Sequence, residues 1–305
     1  MSTTRCAGTT NRNESRPLAR LQRPGVGGLC NSGGGMHSDP CHADGVSTQQ
    51  HTDAGLHDDL RIALLRHEFF VVYQPVVDVA SNRVVSHEAL IRWQHPVRGL
   101  VTPGAFIETA ERTGLVLRIT EVVLEQVCRT LKIGSGPCHR LPISVNLSAV
   151  CLTAGGVPDA IRSVLRRFDV PPERLILEMT ETATLEHADH VMAQLDALRA
   201  MNVGIVMDDF GTGYASLVNL WRYPLSGVKI DRSLLEDIPH DARPCLIVAS
   251  MIEMARKLGL SVVVEGVEND RQLDWIRQFP DVLAQGYLFG MPSAEIRCDG
   301  RHSGT

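Results

Sequence analysis

The stretch that decides the fold reads VMDDFGTGY at residues 206–214, where an apolar run stops at two adjacent carboxylates, Asp208 and Asp209. Adjacent side chains of a β-strand point to opposite faces. Both aspartates can therefore serve one ligand only if the backbone turns, and Gly211 and Gly213 would permit such a turn. Paired carboxylates at a strand exit favour a divalent-metal site. The alternative is that they cap the next helix.

Strand and helix patterns alternate along the chain around this stretch. Residues 69–77 and 83–93 read as a hairpin that turns at Asn82. Six further strands are predicted between helical segments, at 143–145, 175–179, 203–207, 227–230, 261–264 and 282–285. Eight strands in a domain of roughly 250 residues predict an α/β fold, a (β/α)8 TIM-like barrel. The hairpin makes its first strand antiparallel to the others, and little chain remains for a closing helix after the last strand.

Composition divides the chain into three parts. Residues 1–55 are rich in Gly, Ser, Thr, Asn and His and carry almost no aliphatic runs, which predicts a disordered low-complexity segment. Residues 56–298 carry the alternating pattern and form the predicted barrel domain. Residues 299–305 form a polar tail.

Charge and cysteine usage narrow the class of protein. A net charge of -5 over 305 residues gives no basic footprint, so no nucleic-acid polymer is expected as a partner. No stretch approaches the roughly 18 apolar residues of a membrane span, and the N-terminus has no secretory apolar region. The eight cysteines form no C-x-x-C pair, which argues against a zinc ribbon or redox motif. We therefore expect a cytoplasmic protein without a membrane segment, whose cysteines are free thiols.

Polar side chains stand at the exit of almost every predicted strand. They are Glu88, Asn146, Glu178, Glu181, Asp208, Asp209, Lys229, Asp231, Glu265, Glu268 and Gln285. Each could by itself be a helix cap or a solvated loop residue. Because barrels gather their strand ends at one mouth, together they would crowd carboxylates around one lysine, at a high cost in repulsion. Divalent cations relieve that cost, and oxygen ligands suit Mg²⁺ or Mn²⁺. The pattern predicts a metal-dependent phosphoryl hydrolase without naming its substrate.

Several motifs, in order, resemble the EAL-domain family of bacterial cyclic-di-GMP phosphodiesterases. The resemblance covers roughly residues 57 to 296 and is carried by EAL at 88–90, NLS at 146–148, LEMTE at 177–181, DDFGTGY at 208–214, KIDRS at 229–233, EGVE at 265–268 and QGYLFG at 285–290. It implies hydrolysis of cyclic-di-GMP to linear 5′-pGpG, which lowers the level of the second messenger, by a two-metal site holding Mg²⁺ or Mn²⁺. It also implies a homodimer. The alternative is a non-catalytic EAL module that binds cyclic-di-GMP or a protein.

The resemblance also implies a role for each site residue. The first metal would be held by Glu88, Asn146, Glu178 and Asp208, and the second by Asp208, Asp209 and Glu265. Lys229 would position or deprotonate the attacking water, as a lysine whose pKa nearby metals lower, and Glu265 is the rival general base. The dinucleotide would be contacted by Gln74, Arg92 and Gln285. The loop after Asp209, which links the metals to the dimer interface, would be braced by Glu181 and Glu268.

Overall fold

The computed structural model describes residues 44–133, 137–180, 188–212, 216–279 and 281–298. The described strands form one sheet in the order β1-β9-β8-β7-β6-β5-β4-β2-β3. Their bounds are β1 Phe69–Asp78, β2 Arg83–His95, β3 Gly99–Val101, β4 Ile143–Asn146, β5 Leu175–Thr180, β6 Gly204–Phe210, β7 Gly227–Ile230, β8 Ser261–Val264 and β9 Val282–Gln285. The additional β1–β2 pairing closes eight of these strands into a barrel. β3 lies outside the barrel and pairs with the end of β2. β1 runs antiparallel to both of its neighbours, as predicted, while β2 and β4 to β9 pair in parallel.

Helix α1, Asp44–Arg66, precedes β1, and further helices lie in the connections between the parallel strands. These are α2 Ile107–Arg112, α3 Val116–Ile133, α4 Ala149–Ala154, α5 Val157–Phe168, α6 Ala188–Ala200, α7 Ser216–Arg222, α8 Ala242–Lys257 and α9 Asp270–Ile276. Among the described residues, no helix is both long and apolar enough to cross a membrane.

Helix α1 begins before the predicted start of the domain. It runs from Asp44 through the proposed boundary at residue 55 to Arg66. Leu60 and Ala63 on its later turns are fully buried, which makes the helix part of the barrel's outer layer. The rest of the predicted disordered segment and the polar tail lie outside the described residues.

The β1–β2 hairpin positions the first two site residues. Asn82 adopts a left-handed φ of 54° at the turn, and Asp78 Oδ1 accepts hydrogen bonds from the backbone N and Oγ of Ser81. The resulting register places Gln74 directly opposite Glu88. The turn predicted from the sequence is therefore confirmed, and it brings together two polar residues 14 positions apart in the chain.

Closure of the barrel does not need a terminal helix. β1 pairs directly with β9, and the segment that follows, residues 290–298, lies along β1 as a C-terminal strap. Ser293 of the strap exchanges two backbone hydrogen bonds with Tyr73, at 2.7 and 3.0 Å. The predicted weak point at the C-terminus is thus occupied by an extended segment.

A disulfide between Cys138 and Cys298 corrects the prediction that the cysteines are free thiols. Their Cα atoms lie 5.4 Å apart although 160 residues separate them in sequence. Proximity across that separation arises only when the barrel closes, so no local spacing signals it. Cys128, Cys151 and Cys245 are free, as predicted, and Cys6, Cys30 and Cys41 lie outside the described residues.

Candidate active site

An irregularity in β6 brings Asp208 and Asp209 to the mouth of the barrel. The register between β6 and β7 shifts between Met207 and Phe210, and Asp209 adopts a left-handed φ of 55°. The turn expected at the following glycines therefore lies within the strand, at Asp209 itself, and the strand continues to Phe210. Since α7 begins only at Ser216, the two aspartates do not cap it.

Four carboxylates close on the ammonium group of Lys229. The distances from its Nζ are 2.5 Å to Glu265 Oε1, 2.9 Å to Glu178 Oε2, 3.2 Å to Glu88 Oε2 and 3.5 Å to Asp208 Oδ1. Lys229 is 2% exposed and lies on the short strand β7. Five residues predicted from separate strand exits thus meet at one buried point.

The charges in this cluster do not balance. Burial alone would lower the pKa of Lys229, but the carboxylates around it raise that pKa well above its usual value. The predicted lowering of the Lys229 pKa would require bound metal ions, because the protein groups alone raise that pKa. Burial raises the pKa of Glu178 well above the usual value, with Glu88 adding to the effect. Burial also raises the pKa of Asp208, and it raises the pKa of Glu265 to about 7.

Glu88 is held in its ionised form by its neighbours. Burial would raise its pKa, but Lys229 and hydrogen bonds from Gln285 and Asn146 lower it. Gln285 Nε2 donates to Glu88 Oε2 at 2.6 Å, and Asn146 Nδ2 donates to Glu88 Oε1 at 2.8 Å. Asn146, predicted as a metal ligand, and Gln285, predicted as a substrate contact, therefore both lie in direct contact with this carboxylate.

A chain of buried glutamines supports that contact. Gln285 Nε2 also donates to Gln74 Oε1 at 3.1 Å, and Gln74 Nε2 donates to the carbonyl oxygen of Gly290 at 3.2 Å. Gln285 Oε1 is buried without a hydrogen-bond partner among the described residues. Gln285 is also one of the residues that line a cavity at the cluster.

Two cavities open at the cluster and share Leu90 as a wall. The first, about 240 Å³, is called the polar cavity because charged and amide side chains dominate its lining, among them Gln74, Glu88, Asp208, Lys229, Glu265 and Gln285. The second, about 480 Å³, is mostly apolar, and Asn146 and Glu178 are among its lining residues. A ligand with a charged centre and a less polar arm matches this pair of spaces.

The remaining predicted residues lie farther from the lysine. Arg92 NH1 donates to the carbonyl oxygen of Ile91 at 2.8 Å, and burial lowers the pKa of Arg92 although Tyr287 and Glu88 oppose this. Arg92 does not line either cavity, whereas Glu268 lines the polar one. Burial raises the pKa of Asp209, with Asp208 adding to the effect. Glu181 lies outside the described residues.

Two polar side chains of the polar cavity were not predicted as site residues. Arg232 and Tyr287 line it, and both are exposed to solvent. Both lie inside motifs that carry the family resemblance, Arg232 in KIDRS at 229–233 and Tyr287 in QGYLFG at 285–290. Their place in these motifs is the signal that could have found them.

The donor set fits hard divalent cations. Carboxylate oxygens of Glu88, Glu178, Asp208 and Glu265, with the amide oxygen of Asn146, are the ligand types that Mg²⁺ and Mn²⁺ prefer. Four carboxylates against one ammonium group leave excess negative charge in a buried site. In the described part of the chain no three His, Cys, Asp or Glu side chains stand in metal-holding geometry, since the carboxylates close on Nζ of Lys229. The donor types therefore fit such ions, and in the described structure four of these carboxylates contact Nζ of Lys229.

Comparison with known proteins identifies the family of this chain. The model of the EAL domain matches residues 57–292, so this chain belongs to the EAL domain family. The match agrees with the predicted extent of the motifs.

Individual relatives are partial matches. The chain is 42% identical over 235 residues to MucR of Pseudomonas aeruginosa, named a bifunctional diguanylate cyclase/cyclic di-GMP phosphodiesterase, covering 77% of this chain and 34% of MucR. It is 40% identical over 238 residues to NbdA of the same organism, named a cyclic di-GMP phosphodiesterase, covering 78% of this chain and 30% of NbdA. This chain thus spans about a third of the length of these curated relatives. The solved MucR phosphodiesterase in complex with c-di-GMP superimposes with a TM-score of 0.73 at 41% identity, covering 78% of this chain and 97% of that one.

Proposed function

We propose that this chain is a metal-dependent phosphodiesterase that hydrolyses cyclic-di-GMP to linear 5′-pGpG, in the cytoplasm and as a homodimer. The observation that carries the proposal is the convergence of Glu88, Glu178, Asp208 and Glu265 on Lys229. The contact of Lys229 with Glu265, the two predicted catalytic side chains, supports the proposal. The similarity to MucR, whose phosphodiesterase is known in complex with c-di-GMP, supports the choice of substrate.

Two divalent cations, Mg²⁺ or Mn²⁺, would supply Lewis acidity toward the phosphate and a lower pKa for a water molecule. The first ion would be held by Glu88, Asn146, Glu178 and Asp208. The second would be held by Asp208, Asp209 and Glu265. Asp208 would serve both ions, and the register shift with the left-handed backbone at Asp209 would let the neighbouring aspartates serve one site.

The chain's own residues divide the remaining work. Lys229 stays charged among its carboxylates, so its ammonium group orients the attacking water and stabilises negative charge that develops on the phosphate oxygens. Glu265, in direct contact with Nζ of Lys229, accepts the proton of that water. Attack forms one P–O bond and breaks the bond from phosphorus to the 3′-oxygen. The 3′-oxygen takes up a proton, and the phosphate remains on the 5′ side.

The two cavities match the parts of the substrate. The polar cavity of about 240 Å³ would take the scissile phosphate, and the apolar cavity of about 480 Å³ beside it would take one guanine base. The exposed guanidinium of Arg232 would pair with the second phosphate, and the unpartnered Gln285 Oε1 would accept a hydrogen bond inside the site. Arg92, Glu181 and Glu268 keep their proposed roles in substrate contact and loop bracing.

Incubation of the full chain with cyclic-di-GMP, followed by chromatography, tests the proposal. We expect pGpG with Mg²⁺ or Mn²⁺, no product with EDTA, and no product from the isosteric variant Glu178→Gln with either metal. The matched control Glu173→Gln, at an exposed turn before β5, should retain full activity. Binding of cyclic-di-GMP without conversion would instead identify a non-catalytic binding module.

A further inference from the structure

The disulfide between Cys138 and Cys298 anchors the far end of the C-terminal strap. Cys138 is 6% exposed, in a short helical turn before β4. Cys298 is exposed to solvent. A small thiol can therefore reach the sulfur of Cys298 without unfolding of the barrel. The disulfide therefore fastens the strap, residues 290–298, to the turn that precedes β4.

Along its length the strap contacts the two strands that carry Gln74 and Glu88. Ser293 pairs through its backbone with Tyr73, and the carbonyl oxygen of Arg297 lies 2.9 Å from Nε2 of His87. Tyr73 and His87 are the residues immediately before Gln74 and Glu88. The strap therefore pairs with the edge of β1 at Tyr73 and contacts the side chain of His87 on β2, in each case one residue before a residue of the site.

A second contact leads from the strap directly into the site. The carbonyl oxygen of Gly290, at the start of the strap, accepts from Gln74 Nε2. Gln74 accepts from Gln285, which donates to Glu88. Displacement of the strap would therefore remove an acceptor from the glutamine chain that positions Glu88.

We propose that Cys138–Cys298 is a reversible thiol–disulfide modification site, and that the disulfide form holds the strap so that Gln74 and Glu88 keep their active positions. The dithiol form releases the strap's end and is the less active form. The effect on rate rests on the proposed phosphodiesterase activity, whereas the effect on the strap does not. Disulfides that occur in reducing compartments are typically transient or sensing ones, which agrees with a reversible site in a chain expected to be cytoplasmic.

The chemistry is a two-electron exchange with a dithiol reductant. A reductant thiolate attacks Sγ of the exposed residue Cys298, the S–S bond breaks, and Cys138 leaves as a thiolate that takes up a proton. The second thiol of the reductant then attacks the mixed disulfide and releases Cys298 as a thiol. The protein disulfide is reduced to two thiols, and the reductant is oxidised to its own disulfide. Reoxidation is the same exchange with a disulfide of that class.

The test compares the full chain before and after reduction with dithiothreitol, which is removed by gel filtration before the assay. Reduction should lower Tm by about 10–20 °C, because the disulfide closes a loop of very many residues. The amide hydrogens of Tyr73 and Ser293 should lose protection against hydrogen exchange. The kcat/KM for cyclic-di-GMP should fall about 10- to 100-fold, the range typical for loss of a group that orients a site residue.

Two variants distinguish the exchange at the Cys138–Cys298 disulfide from reactions of other thiols in the chain. Cys298→Ser should match the reduced protein and show no further response to dithiothreitol. Cys245→Ser removes a free, partly buried thiol from α8 by the same substitution, and should behave as the untreated protein in every assay.

Three results decide the proposal. Equal exchange rates at Tyr73 and Ser293 in the oxidised and reduced proteins would overturn it. So would an altered strap with an unchanged kcat/KM, because the link from the strap to the site would then be absent. If neither form hydrolyses cyclic-di-GMP while exchange at the strap still depends on reduction, the proposed function fails and the strap anchor is supported.

Discussion

Replacement of Lys229 by Ala removes the positive charge that the described structure places among four carboxylates. Loss of one partner from a buried ion pair costs about 3–5 kcal/mol, because the other charge stays buried and unpaired. Here four carboxylate oxygens lie within 3.5 Å of Nζ, so we expect a cost at the upper end of that range. At about 2–4 °C per kcal/mol for a domain of this size, Tm in EDTA should fall by roughly 10–20 °C.

Divalent metal should reverse this loss. The ions would supply the positive charge that the variant lacks, so Mn²⁺ should raise the Tm of Lys229→Ala more than that of the unmodified chain. The assay is thermal unfolding of both proteins in EDTA and in excess Mn²⁺. Lys132→Ala is the control, since Lys132 pairs with Asp169 at 2.8 Å on the exposed surface and its removal should leave Tm nearly unchanged.

The loss of stability in Lys229→Ala should also depend on pH. Burial raises the pKa of Glu265 from 4.5 to about 7, and Lys229 opposes that rise, so the pKa climbs further in the variant. A folded state that binds more protons than the unfolded chain loses stability as pH increases. The variant in EDTA should therefore lose stability as pH rises from 4.5, and the loss should continue past the pKa of about 7 that Glu265 has in the unmodified chain. A Tm equal to that of the unmodified chain, or an equal response to Mn²⁺, would refute the placement of Lys229 at the centre of the site.

Three further predictions use matched pairs. Leu60→Ala should cost about 2–5 kcal/mol in chemical denaturation, because Leu60 is fully buried, and Leu65→Ala, 81% exposed on the same helix, should cost little; equal costs would remove α1 from the barrel. Gly286→Ala would place a Cβ 2.1 Å from the Val267 carbonyl oxygen, so stability should fall by about 1–3 kcal/mol and activity with it, whereas Gly104→Ala, with no atom within 4 Å, should be neutral. Arg232→Ala should raise KM for cyclic-di-GMP about tenfold with little change in kcat, and the exposed Arg199→Ala at the end of α6 is its control; an unchanged KM in steady-state assays would remove Arg232 from substrate binding.

The sequence was most informative where structure depends on local pattern. The hairpin turn at Asn82 and the alternation of strands and helices follow from residue types within a few positions of each other, and both are confirmed. The same applies to the polar residues at strand exits. A barrel brings every exit to one mouth, so Glu88, Glu178 and Lys229 could be placed together without knowledge of their distances.

Features that depend on long-range geometry were missed. The disulfide joins residues 160 positions apart, and a β-bulge at Asp209 leaves no mark that distinguishes it from a turn at the adjacent glycines. The raised pKa of Lys229 depends on which carboxylates surround it in three dimensions. Helix α1 begins in a stretch of low apolar content, so its early turns carry no hydrophobic periodicity to indicate a helix.

The most direct test of the central claim is a single-turnover reaction with cyclic-di-GMP in heavy-oxygen water, analysed by mass spectrometry. The unmodified chain with Mg²⁺ or Mn²⁺ should yield pGpG with one solvent oxygen in its terminal 5′-phosphate. Asp208→Asn, which removes the carboxylate proposed to touch both ions, should yield almost none. Intact cyclic-di-GMP with the unmodified chain, or equal yields from both proteins, would contradict hydrolysis at the cluster around Lys229.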